Sequence, residues 1–131
     1  MQEKKFRYLI ETNLGNGKIH REWYFYTLNG LENGETIFSL PHYKIIARDQ
    51  FTGECDVKGK EIYENDFLEI VDKKTYPYVR GLRRFRGWVS FEEGGFFMKE
   101  KKGKNNLWGI VGELRVKIIG NCHENKNLLK G

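Results

Sequence analysis

Carboxylates crowd the segment from Gln50 to Val71, QFTGECDVKGKEIYENDFLEIV, at Asp56, Glu61, Glu64, Asp66 and Glu69. Two carboxylates held at a fixed separation, in environments that split their pKa values, can carry general acid–base or glycoside chemistry. This segment offers a simpler use for them. Asp56 and Gly59 bracket a tight reversal with Lys58-Gly59 at its tip, and Glu64-Asn65-Asp66 makes a second turn. Asp bonds its own downstream backbone, and Gly and Asn accept a left-handed conformation. The acids are therefore read as turn chemistry and solvated strand edges.

Other reactive groups are scattered. His20, His42 and His123 lie far apart, and Cys55 and Cys122 form no CxxC unit. A zinc site needs three or four converging ligands, and the adjacent Cys122 and His123 cannot both chelate one ion well. In a reducing cytosol both thiols are expected to be small packing or half-exposed residues, although sequence alone leaves a disulfide open. Gly94-Gly95 sits in a hairpin rather than before a helix, so it is no phosphate loop. No nucleophile elbow occurs. The expectation is a protein that is not an enzyme and holds no metal or cofactor.

The sharpest local feature is TYPYVRGLRRFRGW, Thr75 to Trp88. Arg80, Arg83, Arg84 and Arg86 stand there beside Tyr76 and Tyr78, with Phe85 and Trp88 closing the run. Arginines contact phosphates and aromatic rings stack on exposed bases, so these residues form a candidate nucleic-acid surface. The competing reading is a solvated basic loop with aromatic anchors, in which Trp88 begins a strand and points into the core. Lys99, Lys101, Lys102 and Lys104 add a second basic tip. The net charge of +5 is compatible with either reading.

These residues must be positioned by strands. The 131 residues suffice for one domain with a real core. Aromatics at 15% and Gly far above Pro suit strands joined by tight turns. Strands are expected over Lys5–Glu11, Ile19–Leu28, Tyr43–Phe51, Glu61–Tyr63 and Phe67–Val71. Further ones are expected over Trp88–Glu92, Phe96–Glu100, Leu107–Gly112 and Arg115–Gly120. Phe6, Tyr8 and Ile10 share a face of the first. The second has aromatics on both faces, Trp23 and Phe25 against Tyr24 and Tyr26, so both should be at least partly covered. Asn16-Gly17 suits a two-residue hairpin loop. Asn29 to Pro41 reads as a loop with one short strand near Thr36–Leu40. Asp72 to Gly87 reads as a basic loop and Lys101–Asn106 as a polar tip. Asn121 with Glu124 resembles a capping box before one helical turn, with Leu128 and Leu129 closing the core. Closely spaced short strands with no long amphipathic helix indicate a mainly β fold. Turn, strand, turn and buried strand in quick succession suit a small SH3-like β-barrel, with additional N-terminal antiparallel strands and a short C-terminal helical turn.

The segment Gln50 to Val71 resembles the signature of the YopX family of bacteriophage and prophage proteins, approximately QFTGLKDKNGKEIYEGDI. The match holds at Gln50, Phe51, Thr52, Gly53, Asp56, Lys58, Gly59, Lys60, Glu61, Ile62, Tyr63, Glu64 and Asp66. Departures are Glu54 and Cys55, one fewer residue before Gly59, and Asn65 where the family has Gly. GWVSFEEGGF, Gly87 to Phe96, and IIGNCHENKNLL, Ile118 to Leu129, are similar to two later family stretches, and Lys5 to Arg7 to its usual start. The resemblance implies phage or prophage origin and one YopX-like domain over 1–131, divisible into an N-terminal β region 1–49 and a barrel-like region 50–131. It implies no established activity.

No apolar run approaches the roughly 20 residues that a spanning helix needs, so no membrane role is expected. The start MQEKKFRYLIE has lysines but no apolar h-region, so the cytoplasm of the host bacterial cell is the expected setting. Two functions compete. One is a non-catalytic module that binds a host or phage protein or forms a homo-oligomer. The other is a nucleic-acid-binding module using residues 75–88.

Overall fold

Asn16 and Gly17 both take positive φ, 53° and 76°, and join the first two strands as a two-residue loop. The computed structural model describes residues 4–32, 43–70, 86–100, 103–113 and 115–127. These hold nine strands and two short helices. The protein is mainly β, in two antiparallel sheets, one of four strands and one of five. The chain divides into two compact units, Met1–Phe51 and Thr52–Gly131.

In the first unit β1 (Lys5–Gly15) lies between β2 (Lys18–Thr27) and the start of β3 (Tyr43–Cys55). Phe6, Tyr8 and Ile10 do alternate to one side, and Arg7 and Leu9 to the other. Burial does not follow that division, because Arg7, Leu9 and Ile10 are all buried. The register against β3 shifts between Leu9 and Ile10, where Ile46 is an extra residue on β3. Both aromatic faces of β2 are partly covered, with Trp23 half-buried on one and Tyr24 and Tyr26 on the other, while Phe25 is exposed. Leu28–Glu32 forms a helical turn, α1, started by the Thr27 hydroxyl accepting from the Gly30 N–H at 2.9 Å. The short strand expected near Thr36–Leu40 lies outside the described residues.

In the second unit β3 ends at Cys55, followed by β4 (Glu61–Tyr63) and β5 (Asp66–Ile70). Then come β6 (Arg86–Glu92), β7 (Gly95–Glu100), β8 (Gly103–Asn106), α2 (Leu107–Glu113) and β9 (Val116–Asn121). The five-stranded sheet curls into half a barrel. Ile62, Leu68, Ile70, Val89, Met98, Leu107, Ile110 and Val116 form one buried cluster inside it. Glu93 and Gly94, both at positive φ, close the β6–β7 hairpin. Gly87 lies against the β7 backbone: a Cβ there would sit 2.4 Å from the Lys99 carbonyl oxygen. Gly87→Ala should therefore push β6 and β7 apart and cost about 1–3 kcal/mol, read as a lower urea midpoint at unchanged m.

Two sequence expectations are corrected here. Leu107–Glu113 is a helix, not a strand. Leu107, Ile110 and Val111 recur at helical spacing and reach the core, while Asn106 Oδ1 caps the helix by accepting from the N–H of Trp108 at 3.0 Å. Gly103–Asn106, expected as a polar tip, is a strand paired with β7. After β9 the Asn121 side chain accepts from the N–H of His123 and of Glu124, both at 3.0 Å, and donates to Glu124 Oε1 at 2.8 Å. Asn121 thus caps the turn as expected, but its own N–H donates to Asn125 Oδ1 at 3.1 Å rather than to Glu124, so the box is half formed. Leu128 and Leu129 lie outside the described residues.

Candidate functional site

The carboxylates of the segment 50–71 are held by turns and neighbouring strands. Asp56 Oδ1 accepts from the N–H of Lys58 and Lys60, both at 2.9 Å, and its Oδ2 from the N–H of Ile118 at 3.1 Å. Burial alone would raise the Asp56 pKa. The N–H donors of Ile118, Lys60 and Lys58, with the Lys60 charge, outweigh it and lower the pKa. Asp66 Oδ2 accepts from the Tyr63 N–H at 2.8 Å, closing the second turn around Asn65, whose φ is 69°. The Tyr63 hydroxyl donates to Glu61 Oε1 at 3.1 Å, and Arg86 Nε donates to Glu69 Oε2 at 2.8 Å. Turn chemistry accounts for Asp56 and Asp66, and strand neighbours engage Glu61 and Glu69.

Of the six candidate nucleic-acid-binding residues in the arginine loop, Arg86 is described; Arg80, Arg83, Arg84, Tyr76 and Tyr78 lie outside the described residues. Arg86 opens β6 with an exposed side chain. It stands in a cross-strand row with Glu69 and Lys117. That row belongs to the face of the half-barrel opposite its core, since Leu68, Val89 and Met98 point inward and their strand neighbours point away. The next row on this outer face runs Phe67, Trp88, Lys99, Lys104, and the third runs Ser90, Phe97, Asn106. Trp88 is therefore not a core residue. It is half-buried on the outer face, edge-on to Phe67 at 6.5 Å between centroids. Its place after Gly87 puts it out of phase with Val89, which fills the core.

Charges on this face are mixed. Lys99 Nζ lies 3.3 Å from Glu92, and Lys104 Nζ 3.7 Å from Glu93 and 4.7 Å from the Phe97 ring centroid. Lys117 is exposed. Sequence reasoning found Lys99 and Lys104 as part of a tip but missed Phe97 and Lys117. Period-two alternation through β7 and β9 was the signal for both.

A second exposed surface lies in the first unit. β3 pairs with β1 from Phe6 to Thr12, so the tip of the β1–β2 hairpin, Asn13 to Ile19, extends past the β1–β3 pairing. There Leu14 is 63% and Ile19 61% exposed. Ile19 was expected only as the start of the second strand. Among the described residues, no group of three or more His, Cys, Asp and Glu could hold a metal ion, and His42 falls outside them. Cys55 and Cys122 are not joined in a disulfide. No helix of the described residues is long and apolar enough to cross a membrane.

A family model described as YopX protein matches residues 3–130. The crystal structure of protein EF1440 from Enterococcus faecalis is similar at 26% identity, covering 93% of this chain and 74% of that one, with a TM-score of 0.47. No curated protein matches the chain.

Proposed function

The chain belongs to the YopX protein family, and from that premise we propose that it is a non-catalytic binding module of phage or prophage origin. It works in the cytoplasm of the host bacterial cell, where it self-associates or docks on a host or phage protein. We read its half-barrel as SH3-like, a reading supported by the succession of turn, strand, turn and buried strand from Asp56 to Ile70. The observation that carries the binding role is the tip of the β1–β2 hairpin, Asn13 to Ile19, which lies beyond the β1–β3 pairing and exposes Leu14 and Ile19. Apolar side chains on a projecting, otherwise polar arm stay dry only against a partner. The engagement of Asp56, Asp66, Glu61 and Glu69 in turns and strand contacts supports the non-catalytic part.

Leu14→Ser combined with Ile19→Ser should leave thermal stability within about 0.5 kcal/mol, since neither side chain is packed. It should abolish self-association in light scattering, or capture of a nuclease-resistant partner from host lysate. A wild-type protein that is strictly monomeric and captures nothing would sink the proposal.

A second reading is a nucleic-acid-binding module using the arginine loop 75–88. The exposed Arg86, with Lys99, Lys104 and Lys117 on the same sheet face, favours it.

A further inference from the structure

The outer face of the five-stranded sheet combines two half-buried rings, Trp88 and Phe97, with cations on three sides. Trp88 stands opposite Lys99, and Phe97 is two residues further along the same strand, β7. Trp88 and Phe97 are thus diagonal neighbours, about 7–8 Å apart by sheet geometry. Lys104 lies beyond Lys99 in the same row as Trp88, and Lys117 marks the opposite edge strand.

We propose that this face binds single-stranded nucleic acid, with Trp88 and Phe97 as stacking platforms and Lys99, Lys104 and Lys117 as phosphate contacts. The inference rests on the nucleic-acid reading above and names its surface and the form of its ligand. Ring faces recognise base faces, which an unpaired strand exposes and a duplex keeps stacked. A sheet face with its side chains flush also cannot enter a major groove as a helix or protruding ribbon does.

The acids on this face set the strength of the contact. Glu69, Glu92 and Glu93 pair with Arg86, Lys99 and Lys104. All three pairs reach solvent, so a phosphate can replace each carboxylate with little loss. The Lys104 ammonium now over the Phe97 ring would give way to a base and turn to the adjoining phosphate. Affinity should therefore be modest and depend strongly on salt.

The test is fluorescence anisotropy with a labelled oligothymidylate and with a duplex of equal length, each titrated across a range of salt. The inference requires tighter binding of the single strand. In the Lys99→Gln, Lys104→Gln, Lys117→Gln triple variant, loss of three phosphate contacts should reduce the salt slope by about 2 and the low-salt affinity by about tenfold or more. These are partly exposed surface positions, and an unchanged melting curve would show that the fold is intact. Trp88→Phe keeps a ring and should bind, but should lose the tryptophan quenching that the oligonucleotide causes in the wild type. Equal binding and slope in the triple variant, retained quenching in Trp88→Phe, or preference for the duplex would overturn the inference while leaving the nucleic-acid reading standing. Absence of binding to either ligand at low salt would remove both.

Discussion

Asp56→Ala should lower the unfolding free energy by about 3–5 kcal/mol. One carboxylate satisfies three backbone donors, Lys58 and Lys60 in its own turn and Ile118 on β9. It also stands at a junction, since the adjacent Val57 N–H donates to the Val116 carbonyl at 2.9 Å. The turn donors can find water once Asp56 is gone. The half-buried Ile118 N–H finds it less readily, and the tie between the 56–60 turn and β9 is lost. Asp56→Asn offers a single acceptor oxygen, which serves the turn or Ile118 but not both, so it should cost about half as much. Urea denaturation at constant m reads both values. The two variants also separate charge from shape. Because the folded pKa of Asp56 is lowered, its contribution is fully present above the ordinary carboxylate pKa. It is lost as pH falls below about 4, through the folded pKa. The gap in stability between wild type and Asp56→Asn should therefore narrow in that acidic window and stay constant above it. A gap that does not change with pH would show that the pKa of Asp56 is the same in the folded and unfolded protein.

Local chemistry explains which parts of the fold were legible. Asn16-Gly17, Asp56 to Gly59, Asn65 and Glu93-Gly94 each declare a turn through residues that tolerate positive φ, and each turn is there. The family resemblance was carried by the last three of these turns and the strands beside them, and the family model matches residues 3–130. Where local and tertiary preferences diverge, the reading failed. Leu107–Glu113 contains Gly109, Gly112 and the β-branched pair Ile110-Val111, all poor helix formers. It is helical because its spacing delivers Leu107 and Ile110 to the core and Asn106 caps it.

The candidate surfaces were less legible for a related reason. An aromatic residue in a strand suits either face, and only the register tells which. Trp88 falls outward because Gly87 and Val89 take the inward positions. The exposure of Leu14 and Ile19 depends on where β3 stops pairing with β1, which no residue in the hairpin itself reveals. Binding surfaces emerge from such mismatches in strand length and phase, whereas turns are written residue by residue.

The first unit hides a charged pair that alternation would place at the surface, and Arg7→Ala should expose its weight. Arg7 Nε donates to Asp49 Oδ2 at 2.9 Å, across a separation of 42 residues, and the two are opposite each other in the β1–β3 register. The Asp49 side chain is only 1% exposed and that of Arg7 10%. The guanidinium also lies over the Trp23 ring, 4.5 Å from its centroid. Removing Arg7 leaves a carboxylate buried without its main counter-charge, which costs about 3–5 kcal/mol. Arg7→Lys keeps the charge but loses the planar stacking on Trp23 and the directed Nε–H bond, so an intermediate loss is expected. The decisive comparison is Arg7→Met with Asp49→Leu, which removes both charges and keeps the volume. Desolvation is costly for both partners, so the double variant should recover most of the stability that Arg7→Ala loses. If the double variant is as unstable as Arg7→Ala, the pair does more than neutralise itself, and the stacked guanidinium rather than the ion pair holds β1, β2 and β3 in register. If Arg7→Ala melts with the wild type, neither account survives.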